Sequence, residues 1–325
     1  MDTTRDFTSG PIVGPLIRFS MPILAALFLQ ALYGAVDLLV VGKYAATADV
    51  SGVAVGSQIM MTVTGLISSL AMGSTILLGQ KLGMREKKAC GSVIGASAAF
   101  FGLVGFALTL LLPALSAVLA RLMNAPQEAF RETRQYIAVC GGGSLAIVAY
   151  NVLGSVMRGL GDSRTPLMTV AIACAVNITG DLLLVAVLHL GAAGAAIATV
   201  AAQLISVLVS FLVLRGRGLP FPFFRRDIRL EGRFLRPMLR FGAPIALQDV
   251  LVSLSFLVIL SIANSLGLAA SAGVGVAEKV CGFIMLTPSA FMQAMSAYVA
   301  QNHGAGRDDP EGFASRSPSL LPLAL

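Results

Sequence analysis

Residues 176–191 read VNITGDLLLVAVLHLG. Without Asn177, Thr179, Asp181 and His189, the stretch is apolar enough for the interior of a bilayer. A charged Asp at the centre of a spanning helix costs about 3 kcal/mol or more. The chain does the same in YGAVDLLVVG, residues 33–42, where Asp37 sits in a second apolar run. A sequence that accepts this cost twice either hides the charge in a cavity or uses it.

The rest of the chain agrees with a lipid setting. Of its 325 residues, 56% are hydrophobic and only 12% charged, against roughly 25% charged in a soluble domain. Its 34 glycines suit close packing between membrane helices. Apolar runs of spanning length fall at 15–41, 50–78, 91–119, 134–157, 167–189, 192–214, 239–264 and 273–299. They lack the two-residue alternation of barrel strands, so each reads as a helix that satisfies its own backbone. The expected fold is an all-α integral membrane protein with eight transmembrane helices. The first twenty residues carry Asp2, Arg5 and Asp6 and show no signal-peptide pattern.

The net charge of +7 would raise nucleic acid as a partner in a soluble protein. Here the positive charge sits between the apolar runs and reports orientation. With the N-terminus in the cytoplasm, eighteen Lys and Arg fall on the inner side and four on the outer, with Lys279 inside a run. Eight of the eighteen lie in residues 215–240, around GLPFPFF, which is the best domain boundary in the chain. No nucleic-acid partner is expected, and no protein partner. Membrane lipid is.

The sequence repeats across that boundary. RFSMPI at 18–23 returns as RFGAPI at 240–245, SGVAVG at 51–56 as AGVGVA at 272–277, and GQKLG at 79–83 as AQNHG at 300–304. Six helices separate the copies, so both keep one orientation and relate by an axis along the membrane normal. This is a two-lobed transporter plan. It divides the chain into a six-helix N-lobe (1–214), a basic cytoplasmic linker (215–240), a partial C-lobe of two helices (241–304) and an aberrant tail (305–325). Pro22 and Pro244 occupy equivalent places in the two copies and are expected helix bends. A full second lobe would run to about residue 440, so the sequence reads as a C-terminally truncated product.

Four acids lie in apolar runs: Asp37, Asp181, Asp249 and Glu278. Asn177 and Asp181 are four apart and share a helix face, as do Thr199 and Gln203 in the next run. The turn between these helices falls near His189–Ala192, which puts Asp181 and Thr199 at matching depth in the outer half. Asp37 lies about six residues before Lys43, also in the outer half, with Tyr33 one turn earlier on its face. Burial penalises a charged carboxylate, so such a group can take up and release a proton near neutral pH. Amide and hydroxyl oxygens beside it could instead coordinate sodium. Glu278 sits beside Lys279 near the outer end of its helix and reads as structural, and Asp249 stays open between a structural and a functional role. Cys90, Cys140, Cys174 and Cys281 are scattered and read as packing, and His189 and His303 stand alone. Gly52/Gly56 and Gly91/Gly95 read as helix-packing pairs. GLGDSRTP at 159–166 reads as a tight turn rather than a phosphate loop. No nucleophile–base pair or metal cluster suggests an enzyme.

FSMPI, YGAVDLLVVGKY, GQKLG, VMRGLGDSRTPL, VNITGDLLLV, GAAGAAIATVAAQ, FGAPI and YVAQNHGAGR together resemble the multidrug and toxic compound extrusion (MATE) transporters, over about residues 10–308. They look most like the bacterial branch related to the DNA-damage-inducible member. The resemblance implies two lobes of six helices and efflux of small cationic or amphipathic drugs by antiport with H+ or Na+, with no further cofactor. The setting it implies is the bacterial cytoplasmic membrane. It also implies a coupling cavity in the first lobe, with Asp37, Asn177, Asp181 and Thr199 as the cation-coupling set and Tyr33 and, less closely, Tyr136 near it. Gln203 is expected to line the same cavity. Two further readings stay open: a non-transporting membrane fragment, and a lipid-linked sugar flippase of similar architecture, against which the motif set argues.

Overall fold

The computed structural model describes residues 7–8, 12–219, 221–265 and 268–307. Among them there are ten α-helices and no strand: α1 (Val13–Tyr44), α2 (Thr47–Gly83), α3 (Lys87–Leu122), α4 (Phe130–Gly142), α5 (Ser144–Gly159), α6 (Arg164–Asp181), α7 (Gly191–Arg217), α8 (Gly232–Ser265), α9 (Leu268–Ile284) and α10 (Leu286–Gly304). Seven helical stretches are long and apolar enough to cross a bilayer, and the bent pair α4–α5 makes an eighth. Large apolar side chains cover the outside of the bundle: Leu39 is 70% exposed and Leu122 71%. In water that surface would be untenable; in lipid it is the solvated face. The tail beyond Arg307, with Pro318 and Pro322, lies outside the described residues, as do Asp2, Arg5 and Asp6.

The run at 134–157 is not one straight helix. It breaks after Gly142 and the two halves meet at 55°. Three successive glycines, Gly141–Gly143, hold helix poorly, and the neighbours exploit this. A Cβ at Gly141 would press on Leu112 and Pro113 of α3, and one at Gly143 would meet Val200 of α7 at 2.5 Å. Thr109 of α3 closes the break by accepting a hydrogen bond from the Leu145 N–H at 3.0 Å, which replaces a lost helical bond away from water. In the run at 273–299 the helix is interrupted at Met285, between α9 and α10, while Val280–Gly304 still makes one spanning stretch. Pro22 and Pro244 lie inside α1 and α8, which continue through them.

Between α7 and α8 the described residues 218–219 and 221–231 hold no α-helix and one 3-10 turn, at Arg225–Asp227. They lie on the start of α3. The carbonyls of Pro222 and Asp227 approach so near to Gly91 and Gly95 that no Cβ fits there. Phe221 completes the burial. Gly52 and Gly56 do the same work on α2, against Glu132 and Tyr136 of α4.

The internal repeat is visible as a reciprocal contact. α2 packs along α8 and α10, and α1 along α10. A Cβ at Gly83 would strike the carbonyl of Gln301, and a Cβ at Gly304 would strike the carbonyl of Gln80. Gly83 pairs with Gly304 in the repeat, and Gln80 with Gln301, so each contact is the image of the other. Further along, Gly73 faces the Met238 carbonyl and Gly242 the Leu70 carbonyl. Ser69 donates a hydrogen bond to Asp249 Oδ2 across this α2–α8 crossing. Contacts that exchange partners in this way are what a two-fold axis between the copies would produce.

Candidate functional site

The structure gathers α1, α4, α6 and α7 around Asp37 and Asp181. Small residues make this possible. Ala195, Ala196, Ala198 and Ala202 are buried on one face of α7, and Gly180 lies against Ala198 with no room for a Cβ beyond 2.9 Å. α6 therefore sits close enough to α7 for Asn177 Nδ2 to donate to Thr199 Oγ1 at 3.4 Å. The Val176–Gly191 segment then departs from ideal helix. α6 ends at Asp181, and Leu182–Val187 wind as a π-helix. A π segment shifts the register of the side chains beyond it and is often found at functional sites. The turn that follows has positive φ at His189 (+54°) and Gly191 (+55°). Asp49 at the start of α2 accepts from the Ala192 N–H at 2.8 Å and so caps α7 from another helix.

Asp37, Asn177 and Asp181 are 6%, 1% and 0% exposed. Asp37 Oδ1, Asn177 Oδ1 and both carboxylate oxygens of Asp181 are buried and make no hydrogen bond within the protein. Gln203 Oε1, one turn from Thr199 toward Arg217, is in the same condition. Asp37 and Asp181 are close enough to interact electrostatically. Tyr33 is half-buried beside Asp37. Tyr136 is fully buried, with Cys140, Thr199 and Asp37 as neighbours. Every orphaned atom named here is an acceptor. Leaving a buried acceptor unpaired costs about 1–3 kcal/mol each, and more for a charged group. A set of acceptors that lacks donors fits a proton shared between carboxylates, or a small cation held by carboxylate, amide and hydroxyl oxygens.

The other acids in apolar runs stand apart. Asp249 is engaged by Ser69 in the α2–α8 crossing, and Glu278 is exposed on α9. The side chain of Lys279 lies outside the described residues. Two acids outside the apolar runs prove to be braces that the sequence reading passed over. One is Asp49, described above. The other is Asp162, which accepts from the Arg164 and Thr165 N–H groups at 3.0 Å, from Thr165 Oγ1 at 2.5 Å and from Arg217 at 3.3 Å. An Asp just before a helix start is the signal that could have found it. Among the described residues, no group of His, Cys, Asp and Glu is arranged to hold a metal ion.

Comparison with known proteins gives one answer. The MatE family profile matches residues 22–183 and 244–316. The chain is 30% identical to the "Probable multidrug resistance protein YpnP" of Bacillus subtilis, over 93% of this chain and 68% of that protein. It is 25% identical to "DNA damage-inducible protein F" of Escherichia coli, over 89% of this chain and 63% of that one. The "Probable multidrug resistance protein YoeA" of Bacillus subtilis is 28% identical, and 64% of its length is spanned. The chain thus spans about two thirds of the length of the curated relatives it matches. Among solved structures, the fold superposes on an outward-facing multidrug resistance MATE family transporter of the MOP superfamily with a TM-score of 0.88 at 21% identity, over 100% of this chain and 71% of that one. A MOP superfamily transporter from Pyrococcus furiosus gives the same TM-score at 20% identity, again over 100% of this chain and 71% of that one.

Proposed function

The chain belongs to the MatE family, and on that premise we propose that it supports efflux of small cationic or amphipathic drugs, driven by H+ or Na+ moving inward through the first lobe. Asp37, Asn177, Asp181 and Thr199 hold the coupling ion, and Tyr33, Tyr136 and Gln203 line the cavity. The observation that carries this reading is the convergence of orphaned acceptor oxygens from Asp37 of α1 and from Asn177 and Asp181 of α6, four buried atoms without a donor at one place in the bundle.

The mechanism follows from the charge balance. Two interacting carboxylates without donors repel each other and strain the packing of α1 on α6. A proton or sodium ion removes that repulsion and lets the helices close on one another. Asn177 offers Oδ1 to the ion because its Nδ2 is held by Thr199. Pro22 gives α1 a point at which to bend, since it lacks the N–H that would tie it to Arg18. Each elementary charge carried through 100 mV supplies about 2.3 kcal/mol. That shifts a two-state equilibrium about fiftyfold, enough to bias the lobes toward drug release outside. The charge bias of the loops supports a cytoplasmic N-terminus in the bacterial inner membrane.

The test is ethidium efflux from a pump-deficient bacterial strain that expresses this 325-residue chain. Asp37→Asn, Asp181→Asn and an empty vector run beside it. Export that needs both aspartates supports the reading. Export that both variants retain overturns the coupling assignment. No export, with protein present in the membrane, overturns the transport reading and favours a non-transporting product.

A further inference from the structure

On the side of the molecule away from the carboxylates there is a cavity of about 790 Å³ between the α2–α3 turn and the first turns of α8. Its walls have two characters. Leu77, Phe234, Pro237 and Phe241 form an apolar floor. Lys81, Arg85, Lys87 and Lys88 from the α2–α3 turn and Arg233 from α8 form a basic rim, with Glu86 as the one carboxylate in the lining. Glu86 is bound to Lys81 at 2.9 Å. Arg233 lies over the Phe234 ring at 4.5 Å and reaches Glu231 at 3.8 Å. Arg85, Lys87 and Lys88 are exposed and make no ion pair among the described residues. The turn that presents them is fixed: Arg85 has φ +59°, and its N–H and that of Glu86 bond back to Leu82 and Lys81 at 3.0 Å.

A basic rim alone would be a solvated surface. An apolar floor alone would be a groove for lipid tails. Here the two lie together, at the level where α2 and α3 leave the apolar zone on the side that carries most of the positive charge. We propose that this cavity binds the headgroup of an anionic phospholipid from the cytoplasmic leaflet. The phosphate meets Arg85, Lys87 and Lys88, and the glycerol and first methylenes lie on Phe234 and Phe241. Both halves of the repeat contribute, so one lipid bridges α8 to the α2–α3 turn. The bound lipid therefore favours the arrangement in which these ends stay together. This goes beyond the transport reading and does not depend on the coupling residues.

The test uses the full chain in detergent. Binding of phosphatidylglycerol, phosphatidylcholine and inorganic phosphate is followed by lipid retention in native mass spectrometry and by the melting midpoint. Phosphatidylglycerol is expected to bind at least tenfold more tightly than phosphatidylcholine and to raise the midpoint, with inorganic phosphate failing to compete. Replacing Arg85, Lys87 and Lys88 together by Gln should weaken phosphatidylglycerol roughly a hundredfold, at about fivefold per basic side chain near an anionic surface, and leave phosphatidylcholine unchanged. Should the triple variant fold poorly, the wild type still decides the matter, because added salt must weaken phosphatidylglycerol selectively. Equal binding of the two lipids, salt-insensitive selectivity or an unaffected triple variant would overturn the proposal. Competition by inorganic phosphate would make this a free-phosphate site and overturn it as well.

Discussion

Two buried aspartates bracket α6, and they live differently. Asp162, just before the helix, is 6% exposed, and its oxygens take hydrogen bonds from two backbone N–H groups, a hydroxyl and a guanidinium. Asp181, at the far end, is 0% exposed, and neither of its oxygens is bonded within the protein. Burial is common to both, so burial alone does not separate them. The supply of donors does. Asp162 fastens the α5–α6 turn to the end of α7, whereas both oxygens of Asp181 are left without a donor, which is what the proposed coupling role requires.

The sharpest way to break this contrast is to neutralise each acid. Asp181→Asn and Asp37→Asn are expected to reduce ethidium efflux to the empty-vector level while the melting midpoint stays level or rises, because an uncompensated buried charge has been removed. A large loss of stability in Asp181→Asn would put it in the class of Asp162 and end the distinction. Asp162→Ala should do the reverse and destabilise by about 2–4 kcal/mol, since it strands two N–H groups and a hydroxyl. Thermal unfolding and the yield of membrane-inserted protein measure this. A variant as stable as wild type would show that the network at Asp162 is incidental.

Smaller effects sharpen the map around the site. Gly56→Ala places a methyl 2.6 Å from Tyr136 Cδ1, so the ring must move. Efflux should fall several-fold, while Gly102→Ala, which adds its methyl to open space, leaves efflux unchanged. Thr199→Val removes the one hydrogen bond that orients Asn177. Its 3.4 Å length marks it as weak, worth about 0.5–1 kcal/mol. The ion concentration for half-maximal transport should therefore rise roughly two- to fivefold. No change would mean that Thr199 neither holds the ion nor orients Asn177.

Most of the architecture could be read because lipid imposes it. A bilayer forces apolar runs into helices. The punctuation at Gly79–Gly83 and Ala300–Gly304 exposed the repeat that now appears as the Gly83/Gly304 exchange of backbone contacts. Asp37 and Asp181 stood out by their cost, and helix geometry set Asn177 and Thr199 at one depth. What could not be read depends on tertiary packing. The glycines at 141–143 look like punctuation inside one run, and only the approach of α3 and α7 turns them into a 55° break. The π segment at Leu182–Val187 has no distinct composition, because its register follows from how α6 meets its neighbours. Asp49 and Asp162 were passed over because they lie outside the apolar runs, where an acid costs little and draws no notice.

The reciprocal contact between Gly83 and Gln301 and between Gly304 and Gln80 has a consequence for assembly. A surface that is self-complementary under a two-fold axis is the kind by which two identical subunits find each other. The basic stretch at 215–240 ties the two copies into one chain. Their meeting becomes a unimolecular event, with each half held near the other at an effective concentration on the order of millimolar. Pairing then no longer depends on how much of the protein a cell makes.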